Sequence, residues 1–256
     1  MGALQILNEY KQEGLDFSDL LLDPVNLKLL NTLAKFSDLL THYGYDVRVS
    51  SVSSIRKLKE IPFEYKQGII TSFETWCSFI QPVAGEGQVE NPMEDIEVKF
   101  LRRALDFYGL RMSSEFWASL DKDSLIELYG ENMIQLYRSL NFFKYSGYSL
   151  LDLSVHEWYV LWERPKRVID DMNAHVNIVM REYVSIKKFE TPRHILRETY
   201  NTGQTEPFVP RAIFVDFKNI GSLEDANAPG VVKGLVVTSK AQIAAEGADA
   251  FNIQFV

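Results

Sequence analysis

The sequence predicts an α+β protein: an N-terminal helical bundle followed by an antiparallel sheet with helices on one face. Three observations predict it. Apolar residues recur at three- and four-residue steps through most of the first 121 positions. From about Lys122, short β-rich runs bounded by Gly and Asn turns take over. One long helical segment, Pro165 to Met180, interrupts those runs. The expected division is therefore 1–121, helical, and 122–256, sheet-bearing.

Leu4, Ile6, Leu7 and Tyr10 mark a short first helix ending at Gly14. Asp23-Pro24 opens a second, with Asp as N-cap and Pro in the first turn. Its stripe is Leu29, Leu30, Leu33, Phe36, Leu40 and Tyr43, and Gly44 is a natural stop. Val47 to Val52 reads as a short strand or an extended connector, and Ser50 to Ser54 as a polar stretch. Phe63 to Ile80 is a further helix, closed by Pro82 and followed by a loop from Val83 to Pro92. Met93 to Tyr108 is helical, with Ile96, Phe100, Leu101, Ala104 and Phe107 as its stripe and Gly109 as its stop. A short helix spans Glu115 to Leu120. The stripes form the core of a small bundle; no helix sustains the heptads of a long coiled coil.

Beyond this point Ser124 to Tyr129 and Met133 to Arg138 form a hairpin about Gly130-Glu131-Asn132. The segment from Asn141 to Trp162 is dense in aromatics, with Phe142, Phe143, Tyr145, Trp158, Tyr159 and Trp162. Tyr183 to Phe189 fits a third strand, whereas Pro192 to Thr199 reads as helical. Phe208 to Phe217 is β-rich, and Val231 to Thr238 is a last strand reached through a turn-rich connection.

In this stretch SGYSLLDL, Ser146 to Leu153, resembles the TGYS-x-x-EL element of PAS-type sensory domains. The ending, with Gly230 and Gly234 in matching places, is similar to the P-I-x-D-x-x-G-x-V-x-G stretch that joins the last two strands of that family. Ile220-Gly221 stands where the family often has Pro-Ile. The resemblance runs from Asp123 to Lys240 and leaves the N-terminal half unassigned. It implies that the long helix crosses the sheet face and that the protein senses a small molecule or binds a protein.

Composition is that of an ordinary globular protein, with 46% apolar and 24% charged residues. The net charge is −8, and residues 1–121 hold 12 basic against 18 acidic side chains. Such a balance opposes a phosphate-tracking surface, which needs clustered Lys and Arg. Lys187, Lys188, Arg193 and Arg197, near Tyr183 and Phe189, are the one basic cluster weighed against it. A single cysteine, Cys77, builds neither a disulfide framework nor a cysteine-rich zinc site. No signal peptide and no membrane-length apolar run is evident, so the expectation is a cytoplasmic protein.

Catalytic spacing is absent. His42, His156, His175 and His194 never fall at i, i+4, and His156-Glu157 lacks the second histidine of HExxH. There is no phosphate loop and no nucleophile elbow. Haem-binding PAS domains use a histidine on the long helix, the place of His175, whereas a flavin photoreceptor pattern needs a cysteine that this half lacks. The residues expected to line a pocket between sheet and helices are Phe142, Phe143, Tyr145, Trp158, Trp162, His175 and Ile178. Such aromatics more often form a packed core, and on an outer sheet face they also suit a dimer surface.

The expected function is a regulatory signalling protein without its own effector or cofactor. Its expected partners are a small apolar ligand, a signalling protein or a second copy of the chain, with no nucleic acid and no membrane. The alternative is a small-molecule enzyme of unfamiliar α+β type using His156, His175 and nearby carboxylates such as Glu157 and Asp171.

Overall fold

A computed structural model describes residues 2–12, 14–81, 96–131, 133–182, 189–191, 193–199 and 212–243. In chain order the helices are α1 (Ala3–Gln12), α2 (Pro24–His42), α3 (Val52–Leu58), α4 (Phe63–Ile80), α5 (Ile96–Tyr108), α6 (Ser114–Ala118), α7 (Leu150–Val155), α8 (Trp158–Leu161) and α9 (Lys166–Arg181). The strands are β1 (Leu110–Arg111), β2 (Leu125–Gly130), β3 (Gln135–Arg138), β4 (Trp162–Glu163), β5 (Phe189–Thr191), β6 (His194–Glu198), β7 (Ala212–Asp225) and β8 (Val232–Ile243). The protein is of the α+β class.

The described residues fall into two compact units that alternate along the chain. One gathers 2–81, 146–162 and 199; the other gathers 96–145, 163–198 and 212–243. The expected division ran once, between 121 and 122. Instead α5 and α6 belong with the sheet, and SGYSLLDL belongs with the N-terminal helices.

In the helical unit, Asp23 caps α2 by accepting from the Val25 N–H at 2.9 Å, and Pro24 starts the first turn. The helix ends at His42, and Gly44, two residues on, has a φ of 86° that suits a residue without Cβ. Leu29, Leu30, Leu33 and Leu40 are wholly buried, and Phe36 packs edge-on against Phe73 of α4 with centroids 5.0 Å apart. Val47 to Ser50 is an extended connector rather than a strand. Its carbonyls at Arg48 and Val49 accept the Leu150 and Leu151 N–H groups, each at 2.9 Å. The polar stretch after it is α3, capped by Ser51 and Ser54 in reciprocal hydrogen bonds.

The sheet unit is built on the strand order β3-β2-β8-β7-β6, all antiparallel, with β1 and β5 also pairing with β7. The hairpin and the last strand, far apart in sequence, are thus neighbours: Leu128 stands opposite Val236 and Gly130 opposite Gly234. That approach explains Gly234, where a Cβ would run far inside van der Waals contact with the Tyr129 carbonyl. Gly230 turns the chain into β8 at a φ of 87°.

The long helix α9 lies over one sheet face. Val179 packs with Ile220, Val232, Leu235 and Val237, joined by Met172, Val176, Met180 and Tyr129. The opposite face carries Tyr137, whose hydroxyl donates to Glu97 of α5 at 3.2 Å. Glu97 is buried and also accepts the Leu140 and Asn141 N–H groups, so it serves the 3-10 turn Leu140–Lys144 as a distant cap. Helices therefore meet the sheet from both sides, not one.

The 192–199 stretch, expected to be helical, is strand β6 over His194–Glu198, with every second residue buried. A third strand was expected over Tyr183 to Phe189; 183–188 lie outside the described residues, and the strand described is β5, from Phe189. Pro82, the loop to Pro92, the start at Met93 and the segment Phe208 to Arg211 also lie outside them.

Candidate functional site

Strand alternation brings a polar cluster onto the sheet face beneath α9. Glu127 and Arg138 are opposite one another in the hairpin register, and Gln135 is opposite Tyr129. Glu127 Oε1 accepts from the Tyr129 hydroxyl at 3.0 Å, from Gln135 Nε2 at 3.0 Å and from the Arg138 guanidinium at 3.2 Å. Gln135 Nε2 also donates to the Tyr129 oxygen at 3.2 Å. The guanidinium of Arg138 stacks over the Phe142 ring, 4.0 Å from its centroid. Burial and the Glu127 charge push the Tyr129 phenol well above its ordinary value, so the hydroxyl keeps its proton and acts as a donor. Burial lowers the Arg164 guanidinium, and the Glu127 charge works against it. Low dielectric and fixed partners make this a rigid, charge-paired patch within an otherwise apolar layer.

The residues expected to line a pocket have different surroundings. Phe142 and the buried Phe143 pack edge-on, 5.7 Å apart, in the sheet unit. Tyr145 is half-buried there, and burial followed by the Asp123 charge raises its phenol. His175 and Ile178 are half-buried on α9. The His175 Nδ1–H donates to the Asp171 carbonyl one turn back, at 2.7 Å. The stripe that packs on the sheet is Met172, Val176, Val179 and Met180, one position round the helix from His175 and Ile178.

Trp158 and Trp162 belong to the helical unit. Trp162 is buried edge-on against Tyr148 at 5.0 Å. Trp158 is 44% exposed, beside Tyr159 at 62% and Val160 at 38%. Three consecutive large apolar residues thus face solvent on α8. The end of α8 is held by Tyr148 and Thr199. The Tyr148 hydroxyl donates to the Leu161 carbonyl at 2.5 Å and accepts the Thr199 N–H at 3.1 Å. The Thr199 hydroxyl donates to the Val160 carbonyl at 2.9 Å.

His156, also in the helical unit, is buried with Lys57 Nζ donating to its Nδ1 at 3.4 Å. Burial first and Lys57 second hold its pKa below the ordinary 6.5, against the pull of Asp152. His156 lies in the helical unit and His175 in the sheet unit. Among the described residues no group of three His, Cys, Asp or Glu side chains stands in metal-holding geometry, and no helix is long and apolar enough to cross a membrane. Arg193 and Arg197 of the basic cluster are described, the latter on β6, while Lys187 and Lys188 lie outside the described residues.

The Glu127–Arg138 pair was missed by sequence reasoning, although its signal was present. Folding the two predicted strands about Gly130-Glu131-Asn132 sets an acid opposite a base. The exposure of Trp158 and Tyr159 had no such signal. Comparison with known proteins finds no matching family model, no matching curated protein and no matching solved structure.

Proposed function

We propose that the chain is a regulatory interaction module of PAS-like build, without a catalytic effector of its own, that acts through self-association. The observation that carries the reading is the Trp158–Tyr159–Val160 triplet, exposed on α8 while Thr199 holds the Val160 carbonyl and Tyr148 that of the next residue, Leu161. Exposed large apolar residues mark interaction surfaces, and aromatics are over-represented at interface centres. A preordered backbone lowers the entropy lost on association.

The order of elements supports the PAS-like part. A hairpin, short helical pieces, one long helix over the sheet and two long return strands follow one another as the resemblance implies. The last strand, whose Gly230 and Gly234 carried part of that resemblance, pairs with the first strand of the hairpin. The reading needs no apolar ligand beneath α9, because Ile220, Leu235, Val237 and Val179 fill that layer with four per cent exposure or less.

Sedimentation of the purified chain over a wide concentration range tests the proposal. A reversible dimer is expected, and Trp158→Ser/Tyr159→Ser should weaken it by at least about tenfold, the loss of one interface hot spot. Tyr159 is 62% and Trp158 44% exposed, so at concentrations where the parent is monomeric the unfolding midpoint should move little. A monomer at every concentration, or a dimer indifferent to the double substitution, would exclude self-association through α8.

A further inference from the structure

The helical unit also contains a cleft of about 490 Å³ between α2 and α4. This volume lies in the range of small-molecule sites, roughly 300–1,000 Å³. Its α2 wall is one helix face, since Leu27, Lys28, Asn31, Thr32 and Lys35 follow the helical period. The floor is apolar: Leu27 is half-buried, and Thr32 and Cys77 are buried. Burial pushes the Cys77 thiol up to about 11, so the floor is uncharged at neutral pH.

The rim is charged unequally. Glu74 of α4 pairs with Lys28 of α2 at 3.1 Å, which satisfies the one carboxylate of the cleft. Asn31 Oδ1 accepts the Ala3 N–H at 2.9 Å and is likewise engaged. Lys35 lies two turns beyond Lys28 on the same face, and its charge reaches the Cys77 thiol. A cation entering here must compete with Lys28 for Glu74. An anion meets the Lys35 ammonium without breaking an existing pair.

We propose that this cleft binds a small amphipathic carboxylate, its anionic end on Lys35 and its hydrocarbon body over Leu27, the Thr32 methyl group and Cys77. The site is separate from the α8 surface, so either proposal can fail without the other.

The test uses the full chain and three probes of equal chain length, octanoate, octanol and octylammonium, followed by backbone amide NMR shifts. Octanoate should give saturable shifts at Leu27, Thr32, Lys35 and Cys77, in the millimolar range expected of so small a ligand. Octanol and octylammonium should bind at least about tenfold more weakly. Lys35→Glu should weaken octanoate by at least about tenfold, while Lys35→Arg should retain it. Lys35 is exposed, so both variants should keep the parent unfolding midpoint. The Trp158→Ser/Tyr159→Ser variant should bind octanoate unchanged. Equal binding of octanol, preferred binding of octylammonium, indifference to Lys35→Glu, shifts scattered elsewhere or no saturable shift would each overturn the proposal.

Discussion

His156 shows how one buried base couples the helical unit to pH. Its folded-state pKa lies below 6.5 because burial and the neighbouring Lys57 both disfavour the imidazolium, and Asp152 offsets them only in part. In the unfolded chain it titrates near 6.5. Between these values the unfolded state binds the extra proton, so stability is complete above the unfolded pKa and falls as pH drops below it. Denaturant unfolding at pH 7.5, 6.5 and 5.5 should therefore show a decline, and His156→Asn should flatten the part of it that this residue supplies. An equal slope in parent and variant would assign the decline to other groups. Among the residues singled out from sequence, Gly230 and Gly234 were legible because glycine has few uses. One is needed for a positive φ and the other for the approach of the Tyr129 carbonyl. Trp158 and Trp162 were not separable, since an aromatic has the same composition signal whether it faces the core or the solvent.

Helices with a long stripe and a clear stop were legible at the scale of elements. Phe63–Ile80 has the expected limits, and α2 begins at its Asp-Pro signal and ends at His42, just before Gly44. Short elements held by distant partners were not. Helix α3 has only seven residues, and its serines resemble a linker until Asp152 is placed beside them. Asp152 Oδ1 accepts the Ser51 hydroxyl at 2.6 Å, and its Oδ2 accepts the Ser149 hydroxyl at 2.5 Å and the Ser149 N–H at 3.0 Å. One buried carboxylate thus joins the capping boxes of α3 and α7. Asp152→Ala should cost about 3 kcal/mol, because it orphans two buried hydroxyls and a buried N–H. Ser51→Ala, which removes one cap, should cost about 1 kcal/mol. The double mutant should cost less than the sum by about 0.5 kcal/mol or more, as for residues sharing one network. Strict additivity in chemical unfolding would show that the two caps act separately. Strand β6 was misread for a related reason: with His194 and Glu198 on its buried side, its inward residues are not an apolar series.

The arrangement of the whole molecule was the least legible, because sequence reading assumes that a change of pattern marks a change of unit. The pattern changes near Lys122, but the units do not divide there. Residues 96–121 supply α5, β1 and α6 to the sheet unit, while 146–162 supply α7 and α8 to the helical one. A fragment of residues 122–256 would therefore lack Glu97, the acceptor for Tyr137 and for two N–H groups at the Leu140–Lys144 turn. It would also lack β1, which pairs with β7 through Leu110 and Asp225. The same fragment would carry α7 without Arg48, Val49 and Ser51, leaving the Leu150 and Leu151 N–H groups and Asp152 without their partners. Each loss leaves buried polar groups unmatched at about 1–3 kcal/mol apiece, and together they rival the roughly 5–15 kcal/mol that holds a typical domain. The 122–256 fragment should therefore show no cooperative thermal transition and poorly dispersed amide resonances, whereas the intact chain should show both a sharp transition and good dispersion. The 1–121 fragment should fail likewise, since its α3 loses the Asp152 acceptor. A 122–256 fragment with a sharp transition and native-like dispersion would restore the division at 121, and would mean that the interleaved contacts add little to either unit.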